Sequence, residues 1–230
     1  MNKTNGIDVS RWQGKIDWQK VKASGVTFAI LRAGYGSSIT YKDPTFEENY
    51  AQCKRAGIHT GAYWYSYATT TEQAVQEMRT FLQVVRGKRF EYPLYFDQEY
   101  EPSIKALSKA QRTAIVKSAL GTLQKAGYYA GLYASTDWIT NWLNYTQLSE
   151  YDVWAAQYAP ICTCPLPYGV WQYTGSGTCP GVSGKCDLDY AYKDYPSIMR
   201  AQGLNGYPVK FGRPPYDFPP PIFGPEAGTL

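Results

Sequence analysis

The sequence holds a single histidine, His59, in 230 residues. That scarcity removes the Ser-His-Asp triad, the Cys-His pair and imidazole-based metal sites from the candidate chemistries. Cysteines are few and odd in number, at five. Cys53 stands alone in a helical stretch and reads as a small buried hydrophobe. Cys162, Cys164, Cys179 and Cys186 gather towards one end, at spacings that match no zinc pattern. They leave open reduced thiols or one or two local disulfides. There is no run of Lys and Arg, and a net charge of +4 with a pI near 8.6 is only mildly basic. Such a balance suits an anionic partner such as a bacterial wall and is too small to imply nucleic acid. No apolar signal region opens the chain, and no stretch is long enough to span a membrane. The expectation is a protein made in the cytoplasm without a signal peptide, unless this chain lacks its leader, and without membrane insertion.

What the sequence does have is aromatic side chains, 22 Tyr and 7 Trp among them. An excess of that size fills cores, and it also furnishes clefts that stack on sugar rings or flat bases. The length is ample for a real core. Strand-like and helix-like segments alternate along it. Gly6–Ser10 ends in an acid and leads to a helix over residues 16–25, with Asp17 as cap and Gly25 as its end. Val26–Tyr35 is an apolar strand, followed by a helix over Asp43–Ala56 with Pro44 in its first turn and Gly57 as its stop. Ile58–Ala68 is a strand crowded with aromatics, and Thr71–Val85 is helical. After a strand at Tyr92–Glu99, Ser108–Ala126 forms a helix capped by Ser108. A strand at Tyr128–Ala134 and a short helix at Trp138–Leu143 come next. Three strands then follow with little helix between them, at Asp152–Tyr158, Gly169–Tyr173 and Cys186–Tyr192. Five alternations argue for parallel strands with helical crossovers. The fold class is α/β: a single (β/α)8-like barrel with the last helices reduced, about (β/α)5β3, over residues 1–206. Residues 207–230 are rich in proline and read as an extended tail or linker.

In barrels of this kind, catalytic groups sit at the C-terminal ends of strands. The acids fall there: Asp8 ends the first strand, Asp97 and Glu99 the fourth, and Asp187 and Asp189 lie in the eighth. Asp97 and Glu99 are two residues apart, so on a strand they share a face with Cα atoms roughly 6.5–7 Å apart. Held that close, they repel as anions, and the more buried one tends to keep its proton near neutrality. A proton donor beside an anion is what cleavage of a glycosidic bond requires.

Several stretches taken together resemble the glycoside hydrolase family 25 lysozymes, the muramidases of bacteriophage endolysins and bacteria. They are Gly6-Ile7-Asp8-Val9-Ser10 with Gln13-Gly14 and Ile16-Asp17-Trp18; Phe28 to Gly36; Gly61-Ala62-Tyr63-Trp64-Tyr65; Tyr95-Phe96-Asp97-Gln98-Glu99; Trp154-Ala155-Ala156-Gln157-Tyr158; and Trp171-Gln172-Tyr173. The likeness covers about residues 6–200. Two positions depart from the family pattern: Gln98 stands where an apolar residue is usual, and Asp189 where Asn is usual.

The resemblance implies hydrolysis of the β-1,4 bond between N-acetylmuramic acid and N-acetylglucosamine in peptidoglycan, without metal or cofactor. By carry-over Glu99 is the general acid. Asp97 stabilises positive charge at C1, directly or by orienting the substrate's own N-acetyl group. Asp8 and Asp187 orient sugar hydroxyls, water or the acid pair, or else act as structural hydrogen-bond acceptors. Tyr63, Tyr65, Tyr133, Trp154 and Trp171 are candidate sugar platforms, about half of them expected in the core because neighbours on a strand face opposite ways. Gln157 and Asp189 join the substrate-binding candidates, as does Arg32, which could instead form a structural ion pair. The working place is the bacterial wall, for a phage endolysin or an exported autolysin. Two other readings stay open: a catalytically silent glycan-binding barrel, and a glycosidase acting on chitin-like polymers.

Overall fold

Every strand expected from the sequence forms, and the eight close on one another in chain order as a barrel in the computed structural model, which describes residues 3–208. The elements are β1 (Thr4–Val9), α1 (Trp18–Ala23), β2 (Phe28–Tyr35), α2 (Phe46–Ala56), β3 (His59–Tyr65), α3 (Thr71–Val85), β4 (Leu94–Asp97), α4 (Pro102–Lys105), α5 (Lys109–Lys125), β5 (Ala130–Ser135), β6 (Asp152–Ala156), β7 (Val170–Gly177), β8 (Cys186–Ala191) and α6 (Tyr195–Gln202). The expected short helix after β5 is a π-helical turn, Trp138–Trp142. Helix α6 was not anticipated; Asp194 caps it, accepting from Ser197 N–H, and Gly203 ends it in a left-handed conformation.

Local chemistry explains the boundaries. The side chains of Asp17, Thr70 and Ser108 each accept a backbone N–H in the first turn of the helix that follows. Ser108 and Gln111 form a reciprocal capping box. Gly57 ends α2 at φ 68°, a conformation that costs glycine nothing.

Strands β1 to β7 pair in parallel, whereas β8 runs antiparallel to both β7 and β1. Residues 178–185 are too few for a helical crossover, which takes about a dozen or more, so the chain returns as a hairpin. The reversal brings the start of β8 to the C-terminal mouth of the other strands, with Asp187 directly opposite Asp8.

Period-two alternation divides the apolar residues into two cores. Leu31, Trp64, Phe96 and Leu132 face outward and pack with Phe81 of α3 and Leu120 of α5. Phe28, Ile30, Tyr95, Trp154 and Val170 fill the barrel itself. The filling depends on glycines: a β-carbon on Gly6 would lie 2.1 Å from the Phe28 ring, and one on Gly131 2.5 Å from Tyr95. Large and small side chains on adjacent strands thus plug the lumen, which leaves only the mouth free for function.

All five cysteines are unpaired. Tyr207, placed in the tail by the sequence, donates its hydroxyl to Glu91 Oε1 at 2.7 Å and so still packs on the barrel. The rest of the proline-rich tail, 209–230, lies outside the described residues.

Candidate active site

Five carboxyls meet at the barrel mouth. Asp97 is the last residue of β4 and only 2% exposed, and Glu99 lies just beyond the strand, half-buried. Burial, then the charge of Glu99, push Asp97 well above the ordinary carboxylate range, against the pull of Arg32. Burial, then Glu101 and Asp187, also raise Glu99. Both acids therefore hold their protons to higher pH than free carboxyls do, Asp97 the more strongly, as the deeper of the two should. One oxygen of Asp97, Oδ1, is buried and has no hydrogen-bond partner among the described residues.

Across the mouth, Asp8, Asp187 and Asp189 form a second group. Burial, then Asp189 and Asp187, hold Asp8 far above its usual value. Asp8 Oδ2 accepts from Gln172 Nε2 at 2.8 Å. Gln172 Oε1 in turn accepts from the hydroxyls of Tyr133, at 3.0 Å, and Tyr158, at 2.9 Å. These two tyrosines line a cleft of about 260 Å³ together with Glu99, Tyr100, Ser135, Ala156 and Gln157. Tyr158 can reach inward because residue 175 is glycine: a β-carbon there would lie 2.6 Å from the Tyr158 hydroxyl.

The loops that carry the site are themselves pinned. Ser66 N–H donates to the Asp97 carbonyl at 2.9 Å. Glu77 on α3, 2% exposed, accepts from Ser66 Oγ at 2.6 Å and from Tyr67 N–H at 3.0 Å. Burial pushes Glu77 up to about 7 despite those two donors. Gln98 turns away from the cleft to the helix side, where it is fully buried and its Oε1 accepts from Trp138 Nε1 at 3.1 Å. Its Nε2 has no partner among the described residues, so the polar residue is only half accommodated in that apolar layer.

The aromatic candidates separate as alternation requires. Tyr133 lines the cleft, whereas Tyr65 lies outside its lining and donates to Glu101 Oε1 at 2.6 Å. Tyr63 stands edge-on to Trp154, with ring centroids 5.8 Å apart. Trp154 is 1% exposed inside the barrel, too enclosed to carry a sugar, and donates to Asp189 Oδ1 at 2.8 Å. Trp171 is likewise no platform. Its neighbour Gln172 takes the inward position, and Trp171 is buried against Tyr173 and Tyr190, its indole N–H donating to the Gln157 carbonyl at 2.8 Å. Gln157 is on the cleft wall and Asp189 is beneath it, 1% exposed and out of reach of a ligand. Arg32 forms a structural ion pair, Nε to Asp43 Oδ2 at 2.8 Å.

Sequence reasoning passed over Gln172, Tyr158, Glu101 and the rim. Among the described residues the exposed large hydrophobic side chains are Trp12, Ile39, Tyr41, Tyr67, Tyr100, Tyr158 and Ile161. All seven lie on segments that follow β1, β2, β3, β4 or β6, at the end of the barrel where the acids gather. The signal was available: aromatic residues in the loops after strands have no core to fill. Among the described residues no group of three or more His, Cys, Asp or Glu is arranged to hold a metal ion, and no helix is long and apolar enough to cross a membrane.

Comparison with known proteins agrees with the fold. The family model described as Glycosyl hydrolases family 25 matches residues 7–182. Lysozyme M1 of Streptomyces globisporus is 31% identical over 199 residues, covering 79% of this chain and 65% of its own. The bacterial lysozyme of Streptomyces coelicolor superposes with a TM-score of 0.73 at 27% identity, over 84% of this chain and 94% of that one. The modular autolysin LytC of Streptococcus pneumoniae, solved in complex with a synthetic peptidoglycan ligand, gives 0.74 at 26% identity over 83% of this chain. The shared region is 47% of LytC, so this chain spans about half of that autolysin's length.

Proposed function

The chain belongs to glycosyl hydrolases family 25, and from that membership we propose that it hydrolyses peptidoglycan at the β-1,4 bond between N-acetylmuramic acid and N-acetylglucosamine. The observation that carries this reading is Glu99 lining a cleft beside Tyr100, Tyr133 and Tyr158, with Asp97 buried two residues before it and further exposed aromatics on the loops at the same end of the barrel. Exposed tyrosine and tryptophan faces suit the apolar faces of sugar rings. Their spread over the loops after five strands suits a polymer lying across the mouth.

Glu99 is the general acid. Burial keeps its carboxyl protonated to higher pH than a free glutamate. It donates that proton to the glycosidic oxygen as the C1–O bond breaks and the leaving sugar departs as an alcohol. Asp97 acts through the substrate. From the base of the mouth its carboxyl orients the sugar's acetamido group. So oriented, the acetamido oxygen attacks C1 and quenches the developing positive charge. Water then opens the ring formed, returning a proton to Glu99. A buried carboxyl that favours its neutral form is a poor direct nucleophile, which supports this substrate-assisted route over covalent attack by Asp97. Asp8 holds the opposite wall through Gln172, with Asp187 beside it on β8. The substrate lies in the bacterial wall, reached as a phage endolysin or an exported autolysin.

The test is digestion of purified peptidoglycan by the wild type and Glu99→Gln, with mass spectrometry of the reducing ends. New reducing muramic acid ends from the wild type alone are expected. Reducing glucosamine ends would move the cut to the other bond. Binding with no new ends from either protein would leave a silent glycan-binding barrel, and cleavage of chitin oligosaccharides in preference would move the substrate to chitin-like polymers.

A further inference from the structure

The mouth holds a second pocket that has no task in the mechanism above. Its volume is about 420 Å³, and Tyr35, Gly36, Tyr41, Tyr67, Gln73 and Glu77 are in its lining, on the segments that follow β2 and β3. No residue lines both this pocket and the cleft that holds Glu99. Its rings enclose a corner instead of forming a flat platform. Tyr35 and Tyr41 stack with centroids 4.9 Å apart at 10°, and Tyr67 stands edge-on to Tyr35 at 6.0 Å and 74°. Gly36 is the floor between the rings: a β-carbon there would lie 3.3 Å from the Tyr41 ring and 3.9 Å from the Tyr67 ring. Hydrogen bonds fix this frame. Gly36 N–H donates to the Tyr65 carbonyl at 3.0 Å, and the Gly36 carbonyl accepts from Trp64 Nε1 at 2.9 Å. The Ser37 carbonyl accepts from Thr80 Oγ1 on α3 at 3.0 Å.

The charges around this corner favour a cation. Among the described residues the lining has no Lys or Arg. Glu77, deep in the lining at 2% exposure, accepts from Ser66 Oγ and Tyr67 N–H and has no basic partner among the described residues. Glu101 also bears on Tyr67, and the guanidinium within reach, that of Arg32, is tied to Asp43. Tyrosine faces attract ammonium groups through the ring quadrupole. A buried carboxylate adds an attraction that water screens little. A neutral sugar ring makes no use of that charge. Peptidoglycan carries ammonium groups on the peptides that branch from muramic acid. We propose that the pocket walled by Tyr41 and Tyr67 above Glu77 receives the side-chain ammonium of such a peptide. The protein then reads the branch as well as the chain it cuts. The inference rests on the reading of this chain as a peptidoglycan hydrolase.

The experiment compares solubilised peptidoglycan chains whose peptides carry a free side-chain amine with the same chains N-acetylated or N,N-dimethylated. Acetylation removes the charge, whereas methylation adds bulk and keeps it. Assays run at pH 8, above the value of about 7 at which Glu77 titrates. Wild-type kcat/KM should be about three- to thirtyfold higher on free than on acetylated chains, through KM. Dimethylated chains should behave like free ones. Glu77→Gln removes the charge and keeps the shape, and Tyr41→Leu removes an exposed ring; each should bring the ratio of free to acetylated towards one. Equal wild-type rates on free and acetylated chains would overturn the proposal, as would a ratio that neither variant moves. A loss in Tyr41→Leu that is the same on all three substrates would give the pocket to a sugar and overturn it too. Should no chain be cut at all, the hydrolase reading falls, and NMR titration with the free peptide decides for the pocket. Binding of the free and dimethylated forms over the acetylated form upholds it, and equal binding of all three overturns it.

Discussion

Replacing Glu99 by Gln tests chemistry and electrostatics in one protein. Glu99 is half-buried and faces Glu101 and Asp187, and burial followed by those two charges raises its pKa. The folded state therefore keeps a proton above about pH 4.3, where the unfolded chain has released it. Stability falls as pH rises through that window. Glutamine has nearly the same shape and no charge at any pH, so it retains the packing of the protonated form and removes the repulsion. Tm should match wild type near pH 4 and exceed it at pH 7, each kcal/mol of relieved repulsion being worth about 2–4 °C in a chain of this size. Turnover should move the other way. The amide has no proton for the leaving oxygen, and loss of a general acid lowers kcat by about 10²–10⁴-fold, or about 2.7–5.4 kcal/mol of barrier. The aromatic rim is untouched, so binding of soluble fragments should hold. Reducing-end kinetics at pH 6 and calorimetry at pH 4 and 7 make the pair of measurements. A kcat loss below tenfold would remove Glu99 as the acid. A Tm below wild type at pH 7 would refute the picture of acids strained by their neighbours.

Gly175→Ala places a β-carbon 2.6 Å from the Tyr158 hydroxyl and 3.2 Å from Asp187 Oδ1; Tyr158 should swing out, raising KM on solubilised peptidoglycan more than it lowers Tm. Glu77→Gln should gain stability on wild type as pH rises from about 4.3 to 7, by about 3 kcal/mol at most, since Glu77 titrates at about 7 when folded; thermal melts across that range read it directly. Trp171→Ala should cost about 3–5 kcal/mol in chemical denaturation, as for a buried aromatic, and leave KM unchanged. Trp12→Ala should do the reverse: Trp12 is 73% exposed, so Tm should stay put while KM on long glycan rises about two- to tenfold.

The strands, the helix caps and the acids at strand ends were legible because each rests on a short-range rule. Alternation marks a strand, Ser or Thr or Asp marks a helix start, and a carboxylate after an apolar run marks a strand leaving the core. Asp8, Asp97, Glu99 and Asp187 do meet at one mouth. Parity was harder. In Trp171-Gln172-Tyr173 either the tryptophan or the glutamine could face the lumen, and hydrophobicity points the wrong way because a buried Gln needs an acid partner, Asp8, that lies far away in sequence. Trp154 was misread for the opposite reason: it does face inward, but below the level that a ligand reaches. The reversal of β8 could have been read from the shortness of 178–185. The Asp8–Gln172 bond could not, since it spans β1 and β7 across β8, a neighbourhood that only closure sets.

That closure has a consequence in time. β1 and β8 lie far apart in the sequence, yet they are partners, and Asp8 and Asp187 face each other across their seam. At about 5–20 residues per second, roughly 10–40 s separate the synthesis of the two acids. Throughout that interval the nascent chain has only part of the cluster of carboxyls at the mouth, and the β8-facing edge of β1 has nothing to zip onto. A site built this way is assembled late: its carboxyls come together in the same event that closes the fold.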